Sequence, residues 1–142
     1  MIPSKNFIFL CHGSEGCKLT AYQDDGGIWT IGWGHTFGVK KGMVITQDQA
    51  DQFFYQDCEF FIDWLNRHFP ILSQNWFDTI LDLIYNIGPG NLSKDAELYN
   101  AIQNKDECEI KLGFMRHVHD AKGIVEPGLI TRRENELKLM FG

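Results

Sequence analysis

Residues 15–36 read Glu15-Gly16-Cys17-Lys18-Leu19-Thr20-Ala21-Tyr22-Gln23-Asp24-Asp25-Gly26-Gly27-Ile28-Trp29-Thr30-Ile31-Gly32-Trp33-Gly34-His35-Thr36. Thr20–Gln23 and Ile28–Ile31 are β-branched and aromatic runs on either side of Asp24-Asp25-Gly26-Gly27, a turn sequence, and together they predict a hairpin. Gly32, Gly34, Gly38 and Gly42 punctuate the next dozen residues, and Val39 to Ile45 offers a third short strand. So small a sheet cannot stand alone and must pack on helices.

Outward from this stretch the pattern turns helical. Upstream, Pro3-Ser4 opens a helix over about 4–15 with Phe7, Ile8, Leu10 and Cys11 on its apolar side. Downstream, Thr46 and Gln49 form a T-x-x-Q capping box. Ala50, Phe53, Phe54, Cys58, Phe61, Trp64 and Leu65 then recur at spacings of three and four until Pro70 forbids continuation. This helix, about 46–69, is long enough to join two lobes, spanning roughly 33 Å. A further helix runs from Ser73 to a stop at Gly88-Pro89-Gly90, weaker patterns cover about 95–104 and 107–118, and the last helix begins at Pro127 and reaches about Met140. The prediction is an α+β chain, 1–142 as one domain: a sheet-containing lobe of about 15–48, and a helical lobe made of the first helix and about 70–142.

Composition limits the function classes. In 142 residues, 44% hydrophobic content excludes intrinsic disorder, and a net charge of −6 argues against a nucleic-acid binder. The last 32 residues are locally basic, with 6 Lys/Arg against 4 Asp/Glu. The longest apolar run, Phe7–Cys11, is far below the roughly 20 residues needed to cross a bilayer. With no secretory leader in the sequence, the chain is expected to stay in the cytoplasm that makes it. Cys11, Cys17, Cys58 and Cys108 form no C-x-x-C pair and are expected to be reduced. His117 and His119, two apart, would diverge on a helix, and no metal or cofactor is expected.

Glu15, Asp24 and Thr30 follow an E-x8-D-x5-T spacing that can set two carboxyls and a hydroxyl around one cleft. Spacing alone leaves open that these are two solvated acids and a strand threonine. The whole run from Glu15 to Thr36 resembles the signature of the phage-type lysozymes (endolysins), as do Gly42–Thr46 with Ala50 and Asp57, Tyr85-Asn86-Ile87-Gly88-Pro89-Gly90, and Gly128-Leu129-Ile130-Thr131-Arg132-Arg133 with Glu136. The pieces occur in order across most of the chain. Cys11-His12-Gly13-Ser14 departs from the lysine and bulky apolar residue usual before the acid, and Asn91–Ala96 departs from the usual Ser-Thr pair.

The resemblance implies a lysozyme-like fold and cleavage of the β-1,4 bond between N-acetylmuramic acid and N-acetylglucosamine in peptidoglycan glycan strands. It implies Glu15 as general acid, whose proton partial burial at the lobe junction would retain, and Asp24 as the ionised partner. Thr30 would hold a water with Asp24. Acid and water on opposite sugar faces describe an inverting hydrolase, with the two carboxyls expected about 6.5–9.5 Å apart. Arg132 would place Glu15; Tyr22, Gly34 and Thr36 would line the cleft; His35 and Asp57 would form a structural ion pair. Trp29 and Trp33 are expected mainly in packing. The resemblance also implies a monomer without stable membrane insertion, released to the wall by a holin-type route. A lytic transglycosylase giving 1,6-anhydro products, and a non-catalytic peptidoglycan-binding module, are the alternatives.

Overall fold

The computed structural model describes all 142 residues, and its order is α1 (Lys5–Ser14), β1 (Lys18–Gln23), β2 (Trp29–Gly32), α2 (Gln47–His68), α3 (Gln74–Ile87), α4 (Pro89–Lys94), α5 (Ala96–Asn104), α6 (Glu107–Met115) and α7 (Pro127–Phe141). The fold is α+β, with the small sheet near the N-terminus and helices for the rest. No helix is long and apolar enough to cross a membrane.

The hairpin pairs β1 and β2 antiparallel, Tyr22 opposite Thr30 and Gln23 opposite Trp29. Asp24 writes the turn with its own side chain: Oδ1 accepts from the backbone N–H groups of Gly26 at 2.9 Å and Ile28 at 2.8 Å. The third strand offered by Val39–Ile45 does not form. That segment contributes a single bridge, Thr20 to Val44, flanked by hydrogen bonds from Ala21 N to Met43 O (2.8 Å) and from Ile45 N to Leu19 O (2.9 Å). The glycine-bounded turns at 38 and 42 spend the chain before a longer ladder can pair.

Helices α1, α2, α3, α5 and α6 begin where a side chain satisfies a free backbone N–H, whereas α4 and α7 begin at a proline, which has no N–H to satisfy. Ser4 caps α1 and also bonds Asp78, fastening α1 to α3. Thr46 and Gln49 form the reciprocal capping box of α2, and Ser73 caps α3. Gly88 ends α3, and Pro89, which reads as a stop, instead occupies the first position of the six-residue α4. The α6 helix ends at Met115, three residues short of the predicted 118.

The main core gathers Phe7 and Cys11 from α1, Phe54, Cys58 and Leu65 from α2, Phe77, Ile80, Leu81, Leu83 and Ile84 from α3, and Ile110, Phe114 and Met140 from α6 and α7. A second, smaller cluster of Ile31, Ile45 and Ala50 seats the sheet on α2. The sheet thus hangs on the N-terminal half of α2, while α1, α2, α4 and α7 pack around α3 and α5 and α6 pack on α4 and α7, which leaves a cleft between the sheet and α3.

Candidate active site

The cleft, about 510 Å³, is lined by Glu15, Tyr22, Asp24, Thr30, Gly34, Thr36, Asp57, Tyr85 and Asn86 among others. It therefore brings together the three residues of the E-x8-D-x5-T spacing and the three expected wall residues, Tyr22, Gly34 and Thr36. Trp29 and Trp33 do not line it. Trp33 stacks on His12 with ring centroids 3.8 Å apart and donates Nε1–H to Asp51 at 2.8 Å, a packing role.

Glu15 caps the C-terminal end of α1, its backbone N–H bonding Cys11 O at 2.7 Å, so the helix end fixes where its side chain starts. Its carboxyl is partly covered, 23% exposed, and Oε1 accepts from Arg132 Nη1 at 2.6 Å. Gly34 faces the other oxygen: a Cβ there would stand 3.2 Å from Glu15 Oε2, and φ is +90°, so only glycine leaves this acid its room. Arg132, 4% exposed on α7, reaches through the helical lobe to make this contact.

Asp24 spends Oδ1 on the hairpin turn, and the turn N–H groups leave Oδ2 unengaged. Thr30, 4% exposed, donates its hydroxyl to Ile28 O at 2.9 Å. Its lone pairs are then the part left for a ligand, so it meets an incoming water as acceptor. Tyr22 stands beside these carboxylates, its hydroxyl pushed up by burial and by the neighbouring Glu15 and Asp24 charges.

His35 and Asp57 meet at 2.8 Å through Nδ1 and Oδ2, joining the loop after β2 to α2. Asp57 is 26% exposed toward the cleft, and burial raises its carboxyl above the ordinary range while the His35 hydrogen bond pulls the other way. His117 is committed to Asp95 at 2.9 Å and does not join His119. All four cysteines are free.

Three contributors escaped the sequence reading. Tyr85 lines the cleft and donates its hydroxyl to Trp33 O at 2.6 Å, tying α3 to the sheet lobe. Asn86 accepts from Arg133 at 2.9 Å. Asp82, fully buried on α3, takes both remaining faces of the Arg132 fork: Nε to Oδ2 at 2.9 Å and Nη2 to Oδ1 at 2.8 Å. A lone acid inside Ile80-Leu81-Asp82-Leu83-Ile84 was the available signal, since a carboxylate in an apolar helical run requires a buried partner.

Comparisons with known proteins give the family and the fold. The phage lysozyme family model matches residues 12–136. An endolysin of Acyrthosiphon pisum secondary endosymbiont phage 1 is 34% identical over 140 residues, covering 96% of this chain and 95% of that protein. Among solved structures, the endolysin from Escherichia coli O157:H7 phage FAHEc1 superposes with a TM-score of 0.84 at 29% identity, covering 99% of this chain and 94% of that one. The muramidase domain of SpmX from Asticaccaulis excentricus gives 0.85 at 26% identity, covering 99% and 98%. With a bilobal fold, an acid-lined cleft and a family match over most of its length, the chain belongs to the phage lysozyme family of cell-wall lytic enzymes.

Proposed function

We propose that this chain is a muramidase that hydrolyses the β-1,4 bond from N-acetylmuramic acid to N-acetylglucosamine, with inversion at the anomeric carbon. The observation that carries the reading is the convergence of Glu15, Asp24 and Thr30 on one cleft, with Glu15 held from behind by Arg132. Glu15 protonates the glycosidic oxygen as the bond to the leaving sugar breaks. Asp24, with Oδ2 free, stabilises the developing oxocarbenium charge and accepts a proton from the attacking water. Thr30 accepts the water's other hydrogen and aims its lone pair at the anomeric carbon. Tyr22, Gly34 and Thr36 form the wall along which the glycan strand lies, and His35 with Asp57 fixes that wall to α2. The enzyme works as a monomer, is made in the bacterial cytoplasm, and reaches the wall through a holin-type lesion.

Purified Gram-negative peptidoglycan digested by wild type and by Glu15→Gln is the test. Mass spectrometry should find reducing N-acetylmuramic acid ends with wild type, lost by roughly 10²–10⁴-fold in the variant. Proton NMR of the fresh product should show the α-anomer first. Anhydro ends would make the enzyme a transglycosylase and leave Asp24 and Thr30 without a water; no products from either protein would point to a binding module.

A further inference from the structure

Arg132 has two carboxylate partners, and only one of them faces the cleft. Nη1 reaches Glu15 Oε1 at 2.6 Å, while Nε and Nη2 form a bidentate pair with Asp82 at 2.9 and 2.8 Å. Asp82 is 0% and Arg132 4% exposed, so water screens little of this pair. Burial works to discharge Arg132, and the Asp82 hydrogen bonds and charge outweigh it and push its pKa up. The guanidinium is therefore a fixed cation.

A fixed, unopposed cation touching a carboxyl favours the ionised form of that carboxyl. A general acid needs the opposite. We propose that Asp82 is a positioning residue: by clamping Arg132 in a bidentate pair it sets the geometry of Glu15 and cancels the charge that would otherwise strip Glu15 of its proton. The consequence for turnover rests on Glu15 being the acid; the effect on Glu15 itself does not.

The surrounding groups leave this role to Asp82. Arg133 on the same helix is occupied by Glu136 at 2.8 Å and by Asn86, and Glu136 lies 3.8 Å from Arg132 Nε. Both Glu136 oxygens lie on Arg133, at 2.8 Å from Nε and 2.9 Å from Nη2, so its charge answers Arg133 rather than Arg132, and burial raises its carboxyl with Arg133 opposing. Around Glu15, Cys11 on α1, Tyr22 on β1 and Tyr85 on α3 are pushed toward their neutral forms by burial. Asp24 stands at the hairpin turn and Asp57 on α2, both lining the same cleft, and Lys18 sits over the Tyr22 ring at 4.2 Å.

The test is a ¹³C NMR titration of the Glu15 carboxyl beside a pH–rate profile on peptidoglycan, in wild type, Asp82→Asn and Asp82→Asn/Arg132→Gln. In Asp82→Asn the Glu15 midpoint should fall by about one pH unit or more. Because the acid must be protonated, the high-pH limb of the rate profile should move down with it. In the double variant both charges are gone and the midpoint should return to the wild-type position. A neutral pair replacing a buried ion pair is the better tolerated change, so the double variant carries the test if the single one fails to fold. An unmoved midpoint in Asp82→Asn, or a double-variant midpoint well above wild type, would overturn the proposal. If the NMR midpoint falls while the rate limb stays, Asp82 acts on Glu15 as stated and Glu15 is not the acid.

Discussion

His35 is held on two sides. Its ring lies flat on Phe53, centroids 4.2 Å apart with planes 7° from parallel, and its Nδ1 points at Asp57. At 6% exposure the imidazole has little access to water, so Asp57 is the partner that satisfies that nitrogen. Asp57→Ala removes the partner and leaves a buried polar atom unpaired, a loss of about 1–3 kcal/mol. The expected result is a lower melting temperature with kcat per folded molecule within a few-fold of wild type. A collapse of kcat at an unchanged melting temperature would assign Asp57 to the chemistry instead. His12, a departure from the family pattern, has no such partner: its Nε2 is buried without a hydrogen bond, the ring lies against Trp33 and Phe54, and burial pushes its pKa down against the nearby Asp51 charge, so it packs as a neutral ring.

Asp95 shows how one side chain can join three elements. It caps α5 by accepting from Leu98 N at 3.1 Å, and it takes Arg116 and His117 at 2.9 Å each from the end of α6. Burial works to raise its pKa, but the Arg116, Leu98 and His117 hydrogen bonds prevail and hold it below its usual 3.8. A folded-state pKa below the unfolded one adds stability that is complete above the unfolded value and disappears as pH falls through the folded one. Asp95→Asn keeps a capping oxygen and removes the charge. Urea unfolding should find it weaker than wild type by about 1 kcal/mol at pH 6, and the gap should close below pH 4. A gap that does not narrow as pH falls below 3.8 would make the loss one of shape. Elements of this kind were legible where a local rule decides them. Thr46, Gln49 and Pro70 bound α2 within a residue or so of its observed ends, because capping and the missing proline N–H act locally. Pro89 misled because the same residue serves after one helix and at the start of the next. Glu15, Asp24 and Thr30 were visible as a spacing, but Asp82 lies 67 positions from Glu15 and acts through a third residue, which only the packed structure brings into line.

At the scale of the whole molecule, the two lobes meet both at the floor of the cleft and at one side of it. The floor is made by Arg132 to Glu15 and by Tyr85 to Trp33. At the side, the hairpin tip approaches the loop before α7, and a Cβ built on Gly26 would stand 3.7 Å from that of Ala121. Beneath this contact lies a second cavity of about 690 Å³, which shares Asp24, Ile28, Asn86 and Ile87 with the cleft and carries Arg116 and His117 on its other wall. A long glycan substrate that enters here must part the hairpin tip from the loop. The spacing is within the range a disulfide accepts, about 3.5–4.5 Å between Cβ atoms. Gly26 has an ordinary negative φ, so cysteine brings no backbone strain there. In a background with Cys17 and Cys108 replaced by serine, Gly26→Cys/Ala121→Cys should cross-link on mild oxidation. The oxidised form should lose activity on intact peptidoglycan and raise the melting temperature, and reduction should restore both. The reduced form is the control that the Gly26 change leaves Asp24 in place. If the oxidised enzyme still digests peptidoglycan at the wild-type rate, the strand is admitted from the side of Thr36 and Phe61, and the hairpin contact is a fixed wall of the cleft.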